Sequence, residues 1–106
     1  MIIDNIKNFK NGWVIGNFEP CLLKTNNFEV SIQHHKKGFI GQKHFHKESV
    51  EYNVITTGKV NICGKELMSG DIFIFDKNEI SESYFLEDTT IVVIRTPSIP
   101  TDKYVV

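Results

Sequence analysis

Short runs rich in β-branched and aromatic residues follow one another along this chain, and turn-forming residues separate them. Helical periodicity is weak throughout, whereas clusters of Gly, Asn, Asp and Lys interrupt the chain repeatedly. We predict ten strands, at residues 12–15, 21–24, 28–35, 42–46, 50–57, 59–62, 65–67, 71–75, 83–86 and 89–95. Many short strands at such spacing are typical of an antiparallel sandwich or barrel. The pattern therefore predicts an all-β fold.

The length of the chain and the character of its two ends set the expected domain organisation. A chain of 106 residues suits one domain, so we expect residues 1–106 to form a single unit. Residues 1–11 are rich in Asn and Lys, and we expect an N-terminal arm there, as an edge strand, a short helix or a loose segment. Pro97 and Pro100 lie in a C-terminal tail, residues 96–106, which cannot occupy a central strand. Such a tail is expected to pack across a barrel end or against a neighbouring subunit.

Charge and cysteine content limit the classes of partner and the compartment. The net charge is −1 and Arg95 is the only arginine among the 12 basic residues, which argues against nucleic-acid and anionic-membrane partners. No apolar run approaches the length of a membrane span, and the N-terminus lacks the features of a signal peptide. Cys21 and Cys63 belong to no close pair, so we expect free, buried thiols in a reducing compartment. The expected location is the cytoplasm.

One stretch, residues 38–58, carries side chains that suit metal chemistry. Alternation along a strand places His44 and His46 on the same face. A turn at residues 47–49 would return the chain as the next strand, with Glu51 near its start. If Glu51 faces the same interior, two imidazoles and a carboxylate converge. That set suits a divalent transition metal with open positions for water or ligand.

The spacing in this stretch resembles the first conserved motif of the cupin superfamily, which is Gly, five residues, His, one residue, His, four residues, Glu, six residues, Gly. Every defined position is matched, by Gly38, His44, His46, Glu51 and Gly58. The resemblance covers the middle and C-terminal half of the chain. It implies a small double-stranded β-helix (jelly-roll) barrel that is often dimeric. It also implies a metal inside the barrel, such as Zn, Mn, Fe or Ni, held by the two histidines and the glutamate.

The second cupin motif is only partly present, beginning at residues 70–75. Where the family usually has Pro, Gly and a fourth histidine ligand, this sequence has Asp76, Asn78 and Ser81. The site would then hold three protein ligands and be more open than in the family. Glu79 lies close by in sequence, and we expect it to complete the ligand set or to act as a general base beside the metal. A solvated loop carboxylate is the alternative.

Three further residues are expected near the site. Asn53 follows Glu51 by two positions and should line the same cavity, while Arg95 ends an apolar strand and should reach into the barrel mouth. We expect both to bind a ligand; the alternatives are a structural hydrogen bond for Asn53 and a plain ion pair for Arg95. We expect His34 to be a core or cavity histidine without a metal role.

The resemblance leaves several function classes open, because a fold does not select an activity. The leading expectation is a metal-dependent isomerase or epimerase acting on a small polar molecule such as a sugar or sugar derivative. The second is a non-catalytic small-ligand-binding or regulatory domain. The third is oxygen chemistry at non-haem iron, since two histidines and one carboxylate form the facial triad for that metal. A homodimer is expected, with no nucleic-acid or membrane partner.

Overall fold

The chain folds into eleven strands and two short 3₁₀ helices, in a computed structural model that describes residues 1–106. The strands are β1 Trp13–Gly16, β2 Leu23–Lys24, β3 Glu29–His35, β4 His44–Phe45, β5 Val50–Thr57, β6 Lys59–Ile62, β7 Lys65–Met68, β8 Ile72–Phe75, β9 Ser83–Phe85, β10 Thr89–Thr96 and β11 Tyr104–Val105. The 3₁₀ helices are Ile6–Asn8 and Lys10–Gly12. The predicted all-β class is confirmed, and each of the ten predicted strands has a counterpart. No strand was predicted in the C-terminal tail, where β11 lies.

The strands form two main sheets and a small ribbon. The larger sheet has six strands in the order β2-β1-β3-β10-β5-β8, and the smaller has three in the order β7-β6-β9. The C-terminal strand β11 pairs with β4, so the tail lies along the strand that carries His44. All pairs are antiparallel except β1 with β2. Neither 3₁₀ helix has the length or the apolar composition that crossing a bilayer requires.

The register of the six-stranded sheet arranges its residues in rows that cross β3, β10, β5 and β8. One row consists of Glu29, Arg95, Glu51 and Phe75. Adjacent positions on a strand point to opposite faces of the sheet. The row one position along therefore faces the other way, and it consists of Val30, Ile94, Tyr52 and Ile74. The first three residues of the inward-facing row are called the inner charged row below.

The interior is only partly apolar. The buried apolar cluster lies between the two sheets and consists of Ile55, Val60, Ile62, Phe75, Phe85, Ile91 and Val93. An equally prominent set of buried residues is polar or charged, namely Glu29, Ser31, His46, Ser49, Asn53, Thr89, Ser98 and Asp102. Buried polar groups need partners inside the protein. The polar part of the interior is therefore where a binding site is to be sought.

The last glycine of the predicted motif has a clear steric role. Gly58 follows β5 and has a φ of +99°, in a region that favours glycine. A Cβ built on Gly58 would lie 2.5 Å from the carbonyl oxygen of Asp88 and 2.4 Å from the hydroxyl of Thr89. Any other residue would push β5 away from the start of β10, the central strand that carries Arg95.

Two expectations about individual side chains need correction. His34 lines the cavity together with His35, as one of the two alternatives predicted, but it is exposed and is not a core residue; its Nδ1 lies 2.8 Å from the Thr90 hydroxyl. Cys21 and Cys63 are free, as predicted, but neither is buried and Cys63 is exposed, because Cys63 lies in the turn between β6 and β7.

Candidate metal centre

Two adjacent strands bring His44, His46 and Glu51 together. One potential ligand atom from each residue lies within 4.8 Å of those of the other two. His44 lies on β4 and His46 just beyond it, and the chain then reverses over residues 47–49 so that Glu51 stands near the start of β5. His46 is buried, whereas His44 and Glu51 are partly buried at the cavity wall. The structure thus places the three residues as the sequence pattern predicts.

Backbone carbonyls orient both imidazole rings. The Nδ1 atom of His44 lies 2.5 Å from the carbonyl oxygen of Gln42, and the Nδ1 atom of His46 bonds to the carbonyl oxygen of Asp102. A carbonyl oxygen only accepts hydrogen bonds, so Nδ1 carries the proton in each neutral ring. The unprotonated Nε2 atoms are then the ones available to a metal, which is the arrangement typical of metal-binding histidines.

The Nε2 atom of His46 is buried without a hydrogen-bond partner. It lies 3.2 Å from Oε2 of Glu51. In the neutral tautomer set by Asp102, both atoms are hydrogen-bond acceptors, so their lone pairs face each other unless a proton or a metal ion lies between them. Two ligand atoms bound to one metal at about 2.1 Å lie roughly 3.0–3.4 Å apart. The separation and the unsatisfied nitrogen therefore fit a cation held between these two side chains.

The surroundings favour the protonation states that metal binding needs. Burial alone would raise the pKa of Glu51, but in metal-free protein a proton on Nε2 of His46, which then donates to Glu51, and the Arg95 guanidinium outweigh burial and hold the pKa below its usual value. Burial lowers the pKa of His44, so this imidazole is neutral near pH 7. An ionised carboxylate and a neutral imidazole are the forms that coordinate metals.

Arg95 lies beside the three residues but is already engaged. Its Nε atom is 3.5 Å from Oε2 of Glu51 and 3.6 Å from Oε2 of Glu29. Its guanidinium also stacks on the ring of Trp13, with 4.7 Å from Cζ to the ring centroid. One positive charge is thus shared between the buried carboxylate of Glu29 and the partly buried carboxylate of Glu51. Arg95 lines the cavity as expected, with the ion pair as its observed contact.

Glu29 is a buried carboxylate that the sequence analysis missed. It is 3% exposed, and its Oε1 accepts a hydrogen bond of 2.9 Å from the Ser98 hydroxyl. A signal was present: Glu29 begins a run in which polar residues alternate with apolar ones, continuing through Ser31 and Gln33. That alternation predicts two unlike faces of β3, and the polar one faces the cavity.

Asp102 is a second buried carboxylate missing from the predicted site, and it fixes the turn between the ligands. It is 2% exposed, and its carboxylate accepts hydrogen bonds from the backbone N–H groups of Lys47, Glu48 and Ser49, at 2.9–3.0 Å. Burial would raise the pKa of Asp102, but these hydrogen bonds outweigh it and lower the pKa. The same residue orients His46 through its carbonyl oxygen. No local pattern links a tail residue to this turn.

The remaining predicted residues differ in where they lie. Asn53 is buried at the cavity wall, and its side-chain nitrogen lies 3.4 Å from the carbonyl oxygen of Phe73. Ser81 also lines the cavity and pairs with His44 through the backbone, so the degenerate second motif does face the first. Glu79 is not brought to the site: it is exposed, does not line the cavity, and accepts a hydrogen bond from the N–H group of Asp76.

The candidate centre opens into a cavity of about 1040 Å³. Its walls combine aromatic rings with uncharged polar groups and several charged ones, and they include Trp13, Phe39, Phe73, Phe85, Gln33, His35, Asn53, Ser81 and Ser83 as well as Glu29, Arg95 and Lys103. Binding sites for small molecules commonly have such mixed walls, in which apolar surface provides contact and a few polar groups orient the ligand. The cavity is large enough for a molecule of sugar size.

No protein-family model matches the sequence, and no curated protein matches it significantly. Solved structures do match. An uncharacterised protein with a double-stranded β-helix domain from Klebsiella pneumoniae is 21% identical, with a TM-score of 0.65, over 70% of this chain and 66% of that one. KdgF from a Halomonas species is 19% identical, with a TM-score of 0.67, over 71% of this chain and 73% of that one.

A sugar phosphate isomerase of the cupin superfamily from Silicibacter pomeroyi is also similar. It is 19% identical, with a TM-score of 0.57, over 66% of this chain. The chain spans about half of the isomerase's length and just under two thirds of the Klebsiella protein's. At these identities the likeness shows the fold and not the activity. Together with the two sheets and the cavity between them, it establishes that this chain has the double-stranded β-helix fold of the cupins.

Proposed function

We propose that this protein binds a divalent transition metal through His44, His46 and Glu51 and acts on a small polar molecule in the adjoining cavity. The observation that carries the proposal is the buried, unpartnered Nε2 of His46, which faces the carboxylate of Glu51 at 3.2 Å. Such an arrangement is costly without a cation and favourable with one. The oriented ring of His44 supplies the third ligand.

The proposed reaction is isomerisation or epimerisation of a sugar or sugar derivative. A bound divalent metal would supply polarisation of a carbonyl or hydroxyl group. Glu79 lies outside the cavity, so it is not assigned the proton transfer that such a reaction needs. Asn53 would orient a hydroxyl group. Since Arg95 is held by two carboxylates, we favour an uncharged molecule over a phosphorylated one.

The metal site is tested by titrating chelator-treated protein with Zn²⁺, Mn²⁺, Fe²⁺ and Ni²⁺ and measuring affinity by calorimetry. We expect one metal per chain and a loss of at least about 100-fold in affinity in His46→Gln, since a ligand counts for more than its supporting partners. His34→Gln is the matched control, because His34 is exposed and lies five positions along β3 from Glu29, whose row contains Glu51, so the affinity should be unchanged. Equal affinities of the two variants, or no binding by the wild type, would refute the site.

The substrate class is tested separately on metal-loaded protein. Uncharged sugars are screened for binding by calorimetry and for change of configuration by NMR, with Asn53→Ala as the variant that should bind the metal normally but the sugar more weakly. Binding without turnover in the wild type would support a non-catalytic binding protein instead. If none of the sugars binds, the proposed substrate class is wrong even where the metal site stands.

We place the protein in the cytoplasm, as part of the same proposal. Cys21 and Cys63 are both free, and the thiol of Cys63 is exposed. Exposed free thiols persist in reducing compartments and are oxidised elsewhere. Fractionation of the source cells with an antibody against the protein tests this, and recovery from an oxidising compartment would contradict it.

A further inference from the structure

Three aromatic rings, none of them from the candidate metal centre, form a cluster at the cavity wall. The rings of His35 and Phe39 are stacked with an interplanar angle of 4° and centroids 5.0 Å apart. Phe85 packs against both, with its centroid 4.5 Å from that of His35 and 5.9 Å from that of Phe39. All three residues line the cavity, and together they are called the aromatic wall below.

Hydrogen bonds hold the aromatic wall in place. The N–H group of Gly38 donates to the carbonyl oxygen of Phe85 at 2.7 Å, and the N–H group of Phe85 donates to the carbonyl oxygen of Phe39 at 3.0 Å. Gly38 has a φ of +89°, a conformation that favours glycine, in the turn that returns Phe39 to His35. Nε2 of His35 lies 3.1 Å from Oε1 of Gln33, which fixes the plane of the imidazole ring. The aromatic wall is therefore a preformed surface.

One face of the Phe39 ring is left uncovered. His35 stacks on the other face, yet 47% of Phe39 is exposed although it lines the cavity. Phe85, in contrast, is 3% exposed and belongs to the buried apolar cluster. Contact with the apolar surface of a ligand would remove the open face of Phe39 from water, which is favourable. Phe39 is thus the member of the aromatic wall with a ring face free to contact a ligand.

Polar groups on the same cavity wall limit which ligand fits. Asn53, Ser81 and Ser83 also line the cavity, and their amide and hydroxyl groups both donate and accept hydrogen bonds. A purely apolar ligand would desolvate these groups without giving them partners. A sugar ring meets both requirements, because C–H bonds cover its faces and hydroxyl groups surround its edge. The slightly positive C–H hydrogens also suit the negative face of an aromatic ring.

We propose that the uncovered face of Phe39 is a subsite for the C–H face of an uncharged sugar ring. The ring is held against the aromatic wall while its hydroxyl groups bond to the polar groups of the cavity. The inference rests on the proposed function and narrows its substrate class to sugars that bind in ring form, with Phe39 as a specificity-determining residue. An open-chain polyol presents no such face and should bind more weakly.

The test measures binding of methyl β-glucopyranoside, whose ring cannot open, by NMR titration and saturation transfer, with and without Zn²⁺. The wild type should bind the glycoside more tightly than the open-chain polyol sorbitol, and saturation of aromatic protons should pass to the C–H protons of the sugar. Phe39→Leu keeps an apolar side chain without the ring and should lose about 5- to 10-fold in affinity. Phe39→Tyr keeps the ring and should retain the affinity. Tyr84→Leu is the matched control, because Tyr84 is 45% exposed and lies outside this cavity.

Circular dichroism shows that each variant is folded, and metal affinity is measured in parallel. A wild type that does not bind the glycoside, or binds sorbitol equally well, overturns the subsite. Equal affinities of wild type and Phe39→Leu for the glycoside overturn it as well, as does the absence of saturation transfer in the wild type, which needs no substitution. Ring-dependent binding in a protein that takes up no metal would leave the subsite standing and refute the metal-dependent function.

Discussion

The inner face of the six-stranded sheet carries a charged row, and the outer face carries an apolar row. This is the reverse of the arrangement expected from the positions of the two faces. The side chains of the inner charged row, Glu29, Arg95 and Glu51, are at most 13% exposed, while Ile94, Tyr52 and Ile74 of the outward-facing row are 37–54% exposed. The contrasting residues are immediate neighbours in sequence, as in Ile94 and Arg95. Alternation along a strand shows that two faces differ, but closure by the second sheet and the tail decides which face is inside.

The inner charged row differs from the outward-facing row in energetics as well. Two carboxylates and one guanidinium lose their hydration on burial, and mutual pairing offsets that cost only in part. Stacking of Arg95 on Trp13 adds a cation–π contribution. Such a row contributes little net stability to the fold. Removing one of its charges, however, leaves the charges of the others without a partner. The comparison therefore predicts large effects from single changes in the inner charged row.

The largest effect is expected from Arg95→Met. This change leaves Glu29 and Glu51 buried with like charges and no counter-ion, and the free energy of unfolding should fall by about 3–5 kcal/mol. Denaturant unfolding of metal-free protein at pH 7 measures it. Lys59→Met is the control, since Lys59 pairs with Glu66 at a partly exposed site and should cost under about 1 kcal/mol. Equal losses in the two variants would contradict the comparison.

A smaller effect is expected from Glu29→Gln. The amide oxygen can still accept the Ser98 hydroxyl, but Arg95 then pairs with Glu51 alone, and we expect a loss of about 1–3 kcal/mol. Metal affinity should also fall several-fold, because a metal must compete with an undivided Arg95 for the Glu51 carboxylate. Calorimetry with the metal bound by the wild type measures this. A rise in metal affinity would show that Arg95 does not compete for Glu51.

The smallest effect on stability is expected from lowering the pH. The pKa of Glu51 is lowered in the fold, so its ionisation stabilises the protein above the ordinary pKa of 4.5 and that stability is lost as the pH falls through the lower folded value. Metal-free wild type should therefore lose more stability below about pH 4.5 than Glu51→Gln does, by about 1 kcal/mol for each unit of pKa shift. Unfolding curves between pH 3 and 7 test this. Parallel curves for the two proteins would exclude a lowered pKa.

The sequence predicted what depends on local pattern. The strands follow from short β-rich runs between turns, and His44, His46 and Glu51 follow from a spacing contained within one hairpin. Glu29 and Asp102 were missed because their partners are remote in sequence: Glu29 bonds to Ser98 and Asp102 to His46, over 69 and 56 residues. No window on the chain contains both members of either pair.

Nearness in sequence also misled in one place. Glu79 lies two residues from Ser81, the position that faces His44, and was expected at the metal for that reason. In the structure it accepts a hydrogen bond from the N–H group of Asp76 and stays in the turn after β8, outside the cavity. The direction of a turn residue depends on such local hydrogen bonds, which spacing along the chain does not specify.

The docking of Asp102 ties the candidate metal centre to completion of the whole fold. A partly folded chain that has formed β4 and β5 but not docked its tail would hold His44, His46 and Glu51 near one another, with His46 free to take either tautomer and the turn amides of residues 47–49 uncapped. Closing a loop of 56 residues orders all of these groups in one step. Only the completely folded protein would then bind a metal tightly. A metal would bind the partly folded chain more weakly and would therefore favour complete folding.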